Sequence, residues 1–198
     1  MIAGLLLASG ASRRFGSNKL VAPLEGQPIV RWSAEALASA VDETWVVAPA
    51  RPDDLRAALH GLPVRWVENP VAHEGMASSI RAGIAALPAE VEAVVITLGD
   101  QPHLDRDVIR RVVDAWRAAP VRGGAVVASY VDGRGHPVLF GAELFPALLA
   151  LQGDRGAREL LASLGDAVAG IEVPHARPAD VDTPEALASL ARRAGERR

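Results

Sequence analysis

Residues 5–19 read LLLASGASRRFGSNK, and the rest of the chain can be placed from this stretch. Leu5, Leu6 and Leu7, with Ile2 before them, make a short continuous apolar run, the pattern of a strand buried on both faces. The run breaks at Ser9-Gly10 and gives way to small and basic residues ending in Gly16-Ser17-Asn18-Lys19. Small residues let the backbone approach a ligand, and successive exposed N–H groups form an anion-binding concavity. Arg14 and Lys19 set positive charge beside it, a combination that suits a triphosphate. A Walker-type loop does not fit, because two residues separate Gly16 from Lys19 and neither Ser nor Thr follows. A dinucleotide fingerprint does not fit either, since only Gly10 and Gly16 are present. The plain alternative is an ordinary Gly/Ser turn between a strand and a helix.

Downstream, strands and helices alternate. Apolar strands are expected at Glu43–Ala48, Pro63–Val67 and Ala93–Leu98, besides Ile2–Ala8. Helices are expected after Pro28, over Arg51–His60, over Met76–Leu87 and after Asp105, the last with Val108, Ile109, Val112, Val113 and Trp116 on one face. This alternation predicts an α/β fold with a mainly parallel sheet and helices on both faces. Ligands in such sheets sit beyond the carboxyl ends of the strands, where the Gly10 loop and Asp100 both fall. The second half differs. Gly124–Val131 and Gly135–Phe140 flank Asp132-Gly133 and predict a β-hairpin. Helices near Glu143–Leu151 and Arg155–Leu164, a strand near Val168–Val173, and a last helix opened by Thr183-Pro184 complete the chain. No repeat or linker interrupts it, so one domain is expected.

Composition sets bounds. The chain has 198 residues, 49% hydrophobic and 23% charged, enough for a sizeable core. A net charge of −3 gives no basic field for nucleic acid, and the arginines near the end read as a solvated helix end. The absence of cysteine excludes disulfides, thiolate metal sites and cysteine nucleophiles. No apolar run is long enough to span a membrane, and Met1–Ala8 reads as a strand rather than a signal peptide, so the expected compartment is the cytoplasm.

Asp100 directly follows an apolar strand, which would hold its carboxylate rigidly at the sheet's edge. Mg²⁺ takes oxygen ligands, usually one or two protein carboxylates plus substrate phosphates. A simple Asp turn before Pro102 is the bland reading. Asp180 and Asp182 alternate across Val181, so on extended backbone they would share a side, and either could face the site. They could equally decorate a helix N-terminus. Ser78 and Ser79 sit where a loop meets a helix and could cap it.

Leu7-Ala8-Ser9-Gly10-x-Ser12-x-Arg14-Phe15-Gly16-x-x-Lys19 resembles the signature loop of nucleotidyltransferases that make nucleotide-activated cofactors and sugars. The molybdenum cofactor cytidylyltransferase family is the nearest likeness, and the guanylyltransferase of the same cofactor is a near relative. The likeness continues through Gly99-Asp100-Gln101-Pro102, Gly135-His136-Pro137-Val138-Leu139-Phe140, Gly153-Asp154-Arg155-Gly156-Ala157-Arg158 and Asp180-Val181-Asp182-Thr183-Pro184, in the family's order. It implies a three-layer Rossmann-like nucleotidyltransferase fold, with residues 1–103 binding NTP and 104–198 the acceptor.

The resemblance also implies roles. Leu7, Ala8, Ser9, Gly10, Ser12, Arg14 and Lys19 would wrap the triphosphate, Asn69 and Ser78 would contact ribose and base, and Asp100 and Asp182 would hold Mg²⁺. His136 would donate to the pterin or its phosphate, and Arg158 would join it on the acceptor; Arg14, Lys19 and Asp100 would carry catalysis. The implied reaction is CTP with molybdopterin, giving the cytosine dinucleotide cofactor and pyrophosphate. A xanthine dehydrogenase-type apoenzyme would be a downstream partner. Ser9 stands where cytidylyl members have Ala and guanylyl members Gly, and Phe15 replaces a Met, so GTP stays open. Transfer to another phosphorylated acceptor, or a non-catalytic accessory role, are the remaining alternatives.

Overall fold

The structure, a computed structural model, describes residues 1–10, 12, 15–118, 124–153 and 157–195, with side chains through residue 192. Its frame is a seven-stranded sheet. β1 (Ile2–Leu7) is buried along its whole length. A two-residue ribbon comes next, β2 (Pro23–Leu24) against β3 (Gln27–Pro28). β4 (Glu43–Pro49) and β6 (Ala93–Leu98) flank β1 in parallel, and β5 (Val64–Asn69) extends the parallel set beyond β4. β8 (Gly133–Gly141) runs antiparallel between β6 and β7 (Ala125–Tyr130), and β9 (Val168–Val173) closes the far edge parallel to β7. The order is β5-β4-β1-β6-β8-β7-β9.

Helices cover both faces. α1 (Ile29–Ala38), α2 (Asp53–Ala58) and α4 (Arg106–Ala118) pack on one, and α3 (Met76–Ala86), α5 (Phe145–Leu149) and α6 (Arg158–Ser163) on the other. Strand alternation decides which residue meets which layer: Leu6, Val46, Val95 and Leu139 face the first, while Leu5, Val47, Ile96 and Phe140 face the second. Each such buried side chain contributes about 1.5–3 kcal/mol relative to exposure. α3 lies so close to β1 that a Cβ on Gly83 would fall 2.5 Å from the Leu5 methyls. α7 (Pro184–Gly195) packs Leu187 and Leu190 with Leu24, Ile29 and Val181.

The mainly parallel sheet and the hairpin match the sequence reading, with local departures. The hairpin turns at Val131-Asp132, one residue early, and a register shift between Val127 and Ala128 bends the ladder. The helix expected over 143–151 begins as a 3₁₀ turn, Ala142–Leu144, and becomes α5 where Pro146, which lacks an N–H, occupies the first turn. The β2–β3 ribbon was not expected. Its turn, Glu25-Gly26, holds φ of 52° and 89°.

Candidate active site

The loop after β1 is fixed from both neighbouring strands. Ala8 N–H and Ser9 Oγ donate to Val47 O at 2.8 and 3.0 Å, and Gly99 N–H donates to Leu7 O at 2.9 Å. Leu7 and Ala8 are buried, so they can offer a ligand only backbone. Gly10 is exposed, and a Cβ there would meet nothing within 4 Å. Ser12 takes φ of 46° and accepts the Lys19 N–H on its Oγ at 3.2 Å. Asn18 then caps a 3₁₀ turn, Lys19–Val21, by accepting Leu20 N–H. Together these bonds carry Lys19 back beneath the loop. Arg14 and Arg155 lie outside the described residues.

Lys19 is only 7% exposed and joins two carboxylates distant in sequence. Its Nζ donates to Asp100 Oδ2 at 2.6 Å and to Asp182 Oδ1 at 2.7 Å. Asp100 arrives at the end of β6. Asp182 arrives because Val181 N–H donates to Asp100 O at 3.0 Å while the Val181 side chain is fully buried. Thr183 Oγ1 accepts Ala186 N–H at the start of α7, as an N-cap should. Asp180 and Asp182 do not share one partner: Asp180 accepts from Gln101 Nε2 at 2.7 Å.

Burial lifts the Asp100 carboxyl above its ordinary range; Lys19 opposes the lift, and Asp180 and Asp182 add to it. Burial also works against the Lys19 charge, but Asp100 and then Asp182 more than offset it, so the ammonium is held protonated above its usual range. Among the described residues, Asp100 Oδ1 and Gln101 Oε1 are buried without a hydrogen-bond partner. Two carboxylates that converge on one point, with a buried oxygen to spare, fit a hard divalent cation completed by substrate oxygens.

Asn69 and Ser78 are drawn together elsewhere. At the end of β5, Asn69 Nδ2 donates to Ser78 Oγ at 2.8 Å and Ser79 Oγ at 3.1 Å, and its Oδ1 accepts Val71 N–H. Ser78 Oγ donates to Gly75 O at 2.8 Å. This knot joins β5 to α3, and it occupies the side-chain atoms that were expected to reach ribose and base.

A cleft of about 1200 Å³ opens beside the carboxylates, with Gln101 and Asp180 on its wall. Its floor is apolar, from Ile80, Ile96, Val138 and Phe140, and its rim carries Arg134, Arg158 and Arg177. His136 lies in it, with Nδ1 3.1 Å from Ile96 O. A carbonyl only accepts, so Nδ1 carries the proton. Burial pushes the imidazole down, which leaves it neutral with Nε2 as an acceptor. His136 was expected to donate to an acceptor ligand; in the structure that proton is already given to Ile96. Arg158 is the exposed first residue of α6. Gln101 enters the sequence reading only as part of its motif, without a role, and Arg134 and Arg177 do not enter it. Adjacency to Asp100 could have found Gln101, whereas Arg177 sits in an irregular stretch and reaches the rim through its N–H on Asp132 Oδ1.

The sequence matches the MobA-like NTP transferase domain over residues 4–168. It is 35% identical to the purine catabolism protein PucB of Bacillus subtilis over 195 residues, covering 92% of each chain. It is 36% identical to a molybdenum cofactor guanylyltransferase of Cereibacter sphaeroides over 136 residues, 68% of this chain and 65% of that one. The fold superposes on the crystal structure of Rv0371c from Mycobacterium tuberculosis with a TM-score of 0.85 at 28% identity, over 96% of this chain and 97% of that one. The same protein is known as a manganese complex, with a TM-score of 0.79.

Proposed function

Because the chain belongs to the MobA-like NTP transferase family, we propose that it moves a nucleotidyl group from an NTP to the terminal phosphate of the molybdenum cofactor. A phosphate oxygen of the acceptor attacks the α-phosphorus, the bond to the β-phosphate oxygen breaks, and pyrophosphate leaves. One observation supports this above others: Lys19, Asp100 and Asp182 converge at the strand ends, beside an apolar cleft large enough for an acceptor.

Such a displacement needs positioning and charge neutralisation more than covalent help. Asp100 and Asp182 would hold a divalent ion, magnesium in our reading; when bound, it draws off charge on the reacting phosphates. The manganese complex of Rv0371c supports a divalent ion of this kind. Arg14 and Lys19 answer the charge that builds on the α-phosphate and the leaving group. The Leu7–Ser12 backbone cradles the triphosphate. No general base is required, because a phosphate nucleophile is ionised at neutral pH. Residues 104–198 form the acceptor half, where Arg134 and Arg158 offer cations to the acceptor's phosphate and His136 Nε2 accepts from its ring.

The named guanylyltransferase relative supports GTP as donor. A second reading, CTP, is supported by PucB, which aligns over nearly the whole chain and is named for purine catabolism. The cytosine form of the cofactor would serve a xanthine dehydrogenase-type apoenzyme, an enzyme of purines. Among the described residues no helix is long and apolar enough to cross a membrane, and a cytoplasmic site of action fits this chemistry.

Thermal stabilisation by CTP, GTP, ATP and UTP, each with and without Mg²⁺, tests the donor. A ligand at a hundredfold its Kd adds about 2.7 kcal/mol. A shift with GTP alone supports guanylyl transfer, and a shift with CTP alone supports cytidylyl transfer. No shift with any nucleotide, in the presence or absence of molybdopterin, would remove the proposal.

A further inference from the structure

We infer that Lys19 and the divalent cation are alternative occupants of the same carboxylate pair, so that the metal is admitted only as the nucleotide draws Lys19 away. The inference rests on the nucleotidyl-transfer reading above. Its starting point is one nitrogen, Lys19 Nζ, lying 2.6 Å from Asp100 Oδ2 and 2.7 Å from Asp182 Oδ1. A magnesium ion would bind those oxygens at about 2.0–2.1 Å. An ammonium and a metal ion cannot both stand between them.

Charge decides between the occupants. Lys19 is the cation that Asp100 and Asp182 share, while Gln101 donates to the third carboxylate, Asp180. A metal ion that displaced Lys19 would neutralise the two carboxylates but strand an ammonium that is 7% exposed. An unpaired buried ammonium costs several kcal/mol. Metal alone is therefore opposed. With both present, Lys19 has the phosphates and the metal has the carboxylates.

The loop is built for that exchange. The Lys19 N–H stays on Ser12 Oγ, so the root of the side chain is fixed while its four-carbon stem can turn. The nucleotide phosphates, in the reading above, are what would draw it from the carboxylates. By linkage, whatever factor the nucleotide contributes to metal affinity the metal returns to the nucleotide.

Nucleotide phosphates ligate metals in any case, so the deciding measurement is made without nucleotide. Lys19→Met keeps the length of the stem and removes the charge. Mn²⁺ titration by calorimetry should show the folded variant binding the metal alone about 5- to 150-fold more tightly than the native protein. A folded variant that binds Mn²⁺ no more tightly would overturn the inference. Should the variant not fold, the native protein decides through the Lys19 ammonium ¹⁵N resonance. It should move when Mg²⁺ and nucleotide are added together, and a resonance unmoved by saturating Mg²⁺ and nucleotide would overturn the exchange. Tighter Mn²⁺ binding by the variant, with no response to any nucleotide in either protein, would uphold the competition while removing the nucleotidyl-transfer reading.

Discussion

Two polar clusters stand at the carboxyl edge of the sheet, and they differ in what they leave unspent. In the first, Lys19 bridges Asp100 and Asp182, and one carboxylate oxygen of Asp100 has no partner among the described residues. In the second, Asn69 gives its amide hydrogens to Ser78 and Ser79 and its oxygen to Val71 N–H. A buried polar group without a partner costs about 1–3 kcal/mol, and a charged one more. The second cluster avoids that cost. The first bears it, and groups held so are where ligands are expected to bind. Residue type alone does not separate the two, since both clusters are polar and both lie at strand ends.

The largest expected effect lies in the open cluster. Asp100→Asn keeps the shape and removes the charge, leaving Lys19 paired to Asp182. Metal-assisted charge stabilisation is worth several kcal/mol, so pyrophosphate release should fall by about 10³-fold while the melting temperature stays close to native. Undiminished release with Mg²⁺ present would put the metal elsewhere. The closed cluster should respond the opposite way. Asn69→Ala strands Ser78, Ser79 and Val71 N–H and should cost about 1–3 kcal/mol in denaturant unfolding. If Asn69→Ala instead left stability unchanged and raised only the KM for nucleotide, the knot would be a nucleotide contact after all.

The sequence places Asp100 at a strand end but does not show the bonds that join Asn69 to Ser78 and Ser79. A motif such as Gly99-Asp100-Gln101-Pro102 places a carboxylate at a strand end, where little besides a ligand or an opposite charge can meet it. The sheet order could be anticipated only in part. The apolar runs at Ile2–Leu7 and Ala93–Leu98 carry the pattern of doubly covered strands, but nothing local says that β8 slots antiparallel between β6 and β7. Asn69 and the serines could not be sorted, because whether a side chain turns inward depends on how α3 packs on β5. The Lys19 bridge was equally hidden: Asp100 and Asp182 stand 81 and 163 residues from Lys19 in sequence, and only the Val181 anchor brings the second of them in.

Gly10 separates ligand space from packing space, with a smaller effect. Among the described residues a Cβ there meets nothing within 4 Å, and the residue holds no positive φ. Gly10→Val should therefore change stability by no more than about 0.5 kcal/mol, as surface substitutions do. If the loop closes on phosphates, the same methyls should raise the nucleotide KM by about tenfold, roughly 1.4 kcal/mol of lost binding. An unchanged KM would show that the triphosphate does not approach this backbone.

The smallest effect belongs to His136 in the cleft, where the contrast of open and closed groups recurs within a single ring. Nδ1 is spent on Ile96 O and Nε2 is left over. Burial holds the imidazole below its ordinary value of 6.5. The unfolded chain thus takes up a proton near that pH, and the folded chain does so only at lower pH. Stability is complete above about pH 6.5 and declines as pH falls below it, by at most about 1.4 kcal/mol per pH unit from this group. His136→Asn preserves a donor toward Ile96 O and cannot titrate. Denaturant unfolding between pH 7 and pH 5 should then show a shallower loss in the variant than in the native protein. Equal slopes would mean that the ring is protonated in the fold, and Nε2 would then be a donor toward the acceptor.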